Sequence, residues 1–283
     1  MLKIKDHISL IRPINSFMIG FAVIVGEVIG LKGFPSLNLA ILSFLTGFLV
    51  SSSSMVFNDY FDIEIDRINA PNRPLPSGRV SKGEAITAGL LYGMLGCLAS
   101  AFIGSLSLAI ALIFWTIAIL YDWIGKKLSL LGNAMVSASV AIPYVFGGIC
   151  VKKITSTIMI LAFMSFLANM GREIIKGIID VEGDRIKGYK TLALTRGERF
   201  ASLTAFSFLV TSIFLSPLPY AIGEMGILYI LLIILADLII AFSALKLVKA
   251  KRRNELKRIK RLILLGMFLG LVSFLIGSLG GGQ

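Results

Sequence analysis

Long apolar runs dominate this chain, separated by polar breaks too short to hold domains of their own. Windows of about 20 residues without charge have the length that crosses a bilayer core. Within lipid a backbone must satisfy its own N–H and C=O groups, so continuous apolar runs of this length mean helices. The pattern predicts nine spans, at 14–31, 38–57, 84–104, 107–121, 130–150, 155–171, 200–218, 223–246 and 262–279. The expected fold is all-α and membrane-integral: one domain over 1–283, with cap loops after the second, fourth, sixth and eighth spans. No cleavable leader is evident, because the apolar run after the charged start is long enough to span.

Charge gives the spans a direction. Of the 28 Lys and Arg, all but Lys32, Lys152 and Lys153 fall on one side if the spans alternate and the N-terminus is cytoplasmic. Basic loops stay in the cytoplasm, so this partition supports both the span count and the topology of a multi-pass cell-membrane protein. The net charge of +12 therefore collects on one face. The basic run at 246–261 suits contact with anionic lipid head groups. Nucleic acid is excluded as a partner, since no soluble module presents the charge to it.

Composition narrows the chemistry. Hydrophobic residues make up 56% of the 283, with mean hydropathy +0.88. The two cysteines, Cys97 and Cys150, lie in apolar stretches and read as small core residues. The single histidine, His7, precedes the first span. Zinc chemistry and histidine catalysis have almost no raw material.

The acids, by contrast, are few and clustered. The second span runs into Asn58-Asp59-Tyr60-Phe61-Asp62-Ile63-Glu64-Ile65-Asp66. Asp59, Asp62 and Asp66 stand at i, i+3 and i+7, a spacing that predicts one shared helical face. Like charges so placed repel unless something positive sits among them. A second cluster, Glu173, Asp180 and Asp184, follows the sixth span. Oxygen ligands without His or Cys suit Mg²⁺, which keeps waters and is shared with substrate phosphate. The clusters also repeat: Asp62-x-Glu64-x-Asp66-Arg67-Ile68 aligns with Asp180-x-Glu182-x-Asp184-Arg185-Ile186. Lys82-Gly83-Glu84 opens the third span much as Arg196-Gly197-Glu198 opens the seventh. The second and sixth spans cross in the same direction, so both clusters are expected on one face, as two facing half-sites that each hold a metal. A surface salt-bridge network shows a similar mixture of acids and bases. Repetition at the ends of membrane helices favours a site for a lipid-borne phosphate instead.

These stretches resemble a known family. Asn58-Asp59-x-x-Asp62-x-x-x-Asp66, continuing into Asn72-Arg73-Pro74-Leu75-Pro76-Ser77-Gly78, is similar to the first signature of the UbiA superfamily of intramembrane prenyltransferases. Asp180-x-x-x-Asp184 is similar to the second. Tyr121, Lys126 and Leu131-Gly132-Asn133 resemble the family's loop between the fourth and fifth helices, and Arg12-Pro13-x-Asn15 the head of its first helix. The resemblance implies nine helices around a central cavity, two Mg²⁺ ions and an isoprenoid diphosphate donor. It implies Asp59, Asp62, Asp66, Asp180 and Asp184 as catalytic metal ligands, Asp66 through a water. Asn15, Asn58, Arg73, Tyr121, Lys126, Arg172 and Lys176 would bind the diphosphate or substrate.

The wording at 69–78 and at 171–177 is most similar to the archaeal ether-lipid branch of the family. That branch implies transfer of a geranylgeranyl group to the sn-2 hydroxyl of geranylgeranylglyceryl phosphate. A lipid-phosphate acceptor needs further cations, and Lys187 and Lys190 are the candidates nearest in sequence. Aromatic-acceptor relatives share much of the first signature and form the alternative, but Tyr121, Trp123 and Tyr189 are scattered and predict no stacking cluster for a planar acceptor. Transport of a divalent or organic ion is disfavoured, because transporters place coupling acids near the midplane. Two acids stand apart. Asp237 lies mid-span without a partner visible in sequence, and Glu27 reads as interfacial, near the outer end of its span. The run Ser51 to Ser54 predicts close helix packing.

Overall fold

The computed structural model describes residues 2–123, 128, 130–186, 188–250 and 252–280. In these residues the elements are α1 (Leu2–Leu10), α2 (Pro13–Leu31), α3 (Leu37–Phe61), α4 (Ile63–Asn69), α5 (Lys82–Ile103), α6 (Ser105–Trp123), α7 (Leu130–Cys150) and α8 (Ser156–Ile179). They continue as α9 (Val181–Ile186), α10 (Leu192–Arg196), α11 (Glu198–Leu215), α12 (Leu218–Ala221), α13 (Ile227–Lys249) and α14 (Arg253–Gly280). Among the described residues nine helical segments are long and apolar enough to cross a membrane: α2, α3, α5, α6, α7, α8, α11 with α12, α13 and α14. They match the predicted spans one for one. The differences lie where chemistry begins, since α3 runs on to Phe61, α8 to Ile179, and α14 starts at Arg253. Hydropathy marks where the lipid ends; the backbone ladder continues as long as each turn finds packing.

Side-chain caps fix several starts. Ser36 accepts from Leu39 N at 3.4 Å to open α3, and Thr155 accepts from Ile158 N at 3.3 Å to open α8. Ser81 and Glu84 form a reciprocal capping box at α5, with bonds of 2.8 and 3.2 Å. The second copy of that sequence differs: Gly197 takes φ 87° between α10 and α11, where Gly83 lies inside α5. The repeat at the acids therefore does not extend to this junction.

Close approach comes from small residues, as in membrane interfaces generally. A Cβ on Gly26 would stand 2.1 Å from the Tyr144 carbonyl oxygen, and one on Gly147 2.1 Å from that of Val23, so α2 and α7 touch backbone to backbone. The serine run acts as packing and as glue: Ser53 Oγ donates to the Gly89 carbonyl at 2.6 Å and accepts from Trp115 Nε1 at 2.8 Å, tying α3 to α5 and α6. The same α2–α7 contact corrects the reading of Glu27. It is 0% exposed and faces Ser43 and Cys150, because α7 covers the turn that sequence position alone puts near the interface. Asp237 gains a partner invisible in sequence, Ser216 at the end of α11, whose Oγ donates to Oδ2 at 2.6 Å.

Two packed groups carry the ends of α3 and α8. Leu10, Val56, Ile63, Leu75, Val80 and Ala85 pin the segment after α4 against α1, α3 and α5. Ile175, Ile179, Leu192, Leu247, Ile259 and Ile263 lock α8 and α10 onto α13 and α14.

Candidate active site

The two acidic clusters are built on the same backbone device. Asp62 ends α3 and precedes α4 at φ −94°, ψ 5°. Asp180 ends α8 and precedes α9 at φ −96°, ψ 12°. Each keeps the helical ladder across the interruption. Asp62 N–H bonds the Asn58 carbonyl at 3.0 Å and its carbonyl accepts from Asp66 N at 2.8 Å. Asp180 N–H bonds Lys176 O at 2.9 Å and Asp180 O accepts from Asp184 N at 3.1 Å. The expectation of one continuous face over Asp59, Asp62 and Asp66 is corrected by this: Asp59 belongs to α3, Asp66 to α4, and Asp62 to the joint between them.

The clusters meet. The short helices α4 and α9 are in contact. Asp62 acts on both sides, since its charge is felt by Asp66 in one cluster and by Asp184 in the other. Burial, then Asp180, then Asp62 push Asp184 up to about 6, with Lys176 opposing. Burial also raises Asp66, against the pull of Arg73. Tyr189, pushed up to about 12 by burial and then by Asp62 and Asp184, lines the same place. Tyr121 lies beside Glu173, Asp62 and Tyr189. Folding brings Tyr121 within electrostatic reach of Tyr189, while Trp123 stays exposed.

Cations occupy part of the acidic set. Arg12 donates Nη2 to Asp59 Oδ1 and, at 3.3 Å, to Asn58 Oδ1. Arg73 Nη1 bonds Asp66 Oδ2 and reaches Asp59 Oδ1 at 3.3 Å. Burial works against the Arg73 charge, but Asp59 and Asp66 outweigh it and hold the guanidinium protonated. Asn58 in turn donates Nδ2 to Asp122 Oδ1 at 2.7 Å, so it serves here as a link between α3 and α6. In the second cluster Glu173 takes Arg172 at 3.5 Å and Lys176 at 3.6 Å.

Among the described residues no three ligand-type side chains converge into a ready cage. The residues nonetheless fit a hard divalent ion. The donors are all carboxylate oxygens, and the burial and the repulsion by Asp180 and Asp62 that raise Asp184 are both offset by a cation placed among them.

Several residues at this end take roles that the sequence reading does not assign to them. Arg12 adopts a left-handed conformation at φ 45° to head α2, the residue before Pro13 being barred from the helical region. It reaches the first cluster, whereas Asn15, one turn on, is half-buried. Asp122, Tyr189 and Lys260 join as well, Lys260 facing Lys176, Arg172, Asp180 and Glu173 from α14. Lys190 is exposed, and Lys126 and Lys187 lie outside the described residues.

Comparison with known proteins agrees with this architecture. Digeranylgeranylglyceryl phosphate synthase of Methanothermobacter thermautotrophicus is 35% identical over 275 residues, covering 97% of this chain and 96% of that one. The enzyme of the same name from Thermococcus kodakarensis is 34% identical over 278 residues, covering 98% and 99%. A solved structure of a digeranylgeranylglyceryl phosphate synthase superposes with TM-score 0.77 at 32% identity, over 99% of this chain and 100% of that one. The fold also matches a UbiA homologue from Archaeoglobus fulgidus bound to GPP and Mg²⁺, with TM-score 0.66 at 17% identity over 95% and 99%. Residues 19–272 match the UbiA prenyltransferase family. The chain is a multi-pass membrane prenyltransferase and belongs to the UbiA family.

Proposed function

We propose that this enzyme transfers a geranylgeranyl group from geranylgeranyl diphosphate to the sn-2 hydroxyl of geranylgeranylglyceryl phosphate, with Mg²⁺, at the cytoplasmic face. The observation that carries the reading is the contact between α4 and α9, which brings two like-built acidic clusters together at one end of the helices. Full-length relatives named for this lipid synthesis support the acceptor class. The Archaeoglobus homologue, which binds GPP and Mg²⁺, supports the donor and metal classes. The one-sided charge supports a cytoplasmic site, and the whole chain is read as one prenyltransferase domain.

Asp59, Asp62, Asp180 and Asp184 would hold two ions, with Asp66 reaching one through a water. Bound there, Mg²⁺ supplies Lewis-acid neutralisation of the departing diphosphate. The chain's own groups do the rest. Arg12 and Arg73 hold Asp59 and Asp66 in place. Tyr121 and Tyr189 offer hydroxyl donors beside Asp62. The apolar span walls keep water from the allylic cation that forms as the diphosphate leaves.

The test is transfer by purified protein from labelled geranylgeranyl diphosphate to a panel of acceptors. Efficient product with geranylgeranylglyceryl phosphate, dependent on Mg²⁺, is expected. Equal or better turnover of 4-hydroxybenzoate would overturn the lipid assignment and leave the family standing.

A further inference from the structure

The basic run at the start of α14 divides by face. Lys257, Arg258 and Arg261 are exposed, as contact with lipid head groups requires. Lys260 instead is half-buried, on the side of α14 that carries Leu256, Ile259 and Ile263, which are at most 4% exposed. An ammonium on a packing face is costly unless a negative partner meets it. The packing of α14 on α8 brings Lys260 within electrostatic reach of two cations, Lys176 and Arg172, and of Asp180 and Glu173. Glu173 is already engaged by both Arg172 and Lys176, and Asp180 is a metal-ligand candidate. Three cations thus converge around Asp180 and around Glu173, which two of them already share. Arg172 also carries a buried Nε–H with no acceptor, a polar group that normally finds one.

The first cluster shows the contrast. Its two arginines, Arg12 and Arg73, are taken up by Asp59 and Asp66. The arginine donor left without an acceptor lies on the α8–α14 side.

We infer that Arg172, Lys176 and Lys260 form a subsite for the phosphate monoester of the acceptor, distinct from the metal-held diphosphate position. This rests on the proposed lipid-phosphate reading. A monoester brings about −1.5 to −2 charge and three acceptor oxygens, which match the unsatisfied Arg172 Nε–H and the two ammonium groups. Lys260 takes the part for which Lys187 and Lys190 are the nearer candidates in sequence. The same oxygens also occur on the donor, so the two sources must be separated by experiment.

Steady-state kinetics on the full-length protein in lipid nanodiscs separate them, comparing wild type with Lys260→Met and Lys260→Arg. Methionine keeps the apolar stem that packs on Leu256 and Ile263 while removing the charge. The expected result is a rise of at least about tenfold in KM for geranylgeranylglyceryl phosphate in Lys260→Met, the size of a charged hydrogen bond. KM for geranylgeranyl diphosphate should stay within about twofold on the same ground, and Lys260→Arg should recover most of the loss. Geranylgeranylglycerol, which lacks the phosphate, should respond equally poorly in wild type and Lys260→Met. An unchanged acceptor KM, or a donor KM that rises as much, overturns the subsite. If wild type ignores geranylgeranylglyceryl phosphate and prenylates another acceptor, the functional reading fails and the subsite falls with it.

Discussion

Asp62 and Asp180 occupy equivalent places, each closing a long span and leading into a short helix, with backbone angles that agree within a few degrees. Each joint delivers a second carboxylate four residues on, Asp66 or Asp184, across a retained backbone bond. The internal repeat is thus structural at the acids, and it presents two oxygen-donor arms to one volume between α4 and α9.

Replacing either joint residue by asparagine keeps shape and removes charge. Asp62→Asn and Asp180→Asn should each lower kcat about 100-fold or more, as loss of a transition-state charge partner does. Chromatographic behaviour and thermal stability should match wild type. Turnover near the wild-type rate at limiting Mg²⁺ would remove that residue from the ligand set.

Arg73 bridges two acids that are otherwise buried together. In Arg73→Met both lose a partner and repel across the α3–α4 joint. The protein should melt at lower temperature in chelator, and added Mg²⁺ should restore more of the loss than it adds to wild type. A variant as stable as wild type in chelator contradicts that role.

The raised Asp184 gives a pH signature. Its folded-state value, about 6 against an ordinary 3.8, means that the fold favours the protonated form. That contribution to stability is present below the ordinary value and lost as pH rises through about 6. Mg²⁺ binds the ionised form, so its stabilising effect should be small near pH 5 and full above about pH 7. Thermal melts across pH, with and without Mg²⁺, measure this. A pH-independent Mg²⁺ effect would count against Asp184 as a ligand.

Gly26 and Gly147 set the distance between α2 and α7. An alanine at either site meets backbone oxygen at 2.1 Å, which no rotamer relieves. Gly26→Ala and Gly147→Ala should each cost about 1–3 kcal/mol or fail to assemble. Gly33→Ala, which meets nothing within 4 Å, is the matched control.

Topology is open to labelling. With Cys97 and Cys150 replaced, single cysteines at Ser77 and Gly188 should label from the cytoplasmic side, and one at Gly33 from the other. Opposite sides for Ser77 and Gly188 would separate the two acidic arms and break the shared site.

Much was legible before folding. Span number and order follow from window hydropathy, a local property that lipid enforces on any backbone. The acidic clusters were legible because charge is rare at span ends and because the motif repeats. The sequence could not say which side of each helix turns inward, since a small rotation exchanges an exposed lysine for a half-buried one. Lys260 stands between Ile259 and Arg261 in a run of like residues, and only the packing of α14 on α8 turns it towards Glu173. Glu27 is buried because α7 closes on α2 through Gly26 and Gly147, 121 residues apart in sequence. Arg12 meets Asp59 across 47 residues, and Tyr121 comes within electrostatic reach of Tyr189 across two spans. Hydropathy and motif spacing are fixed along the chain, whereas the pairing of each charge depends on contacts between distant helices that only the assembled bundle makes.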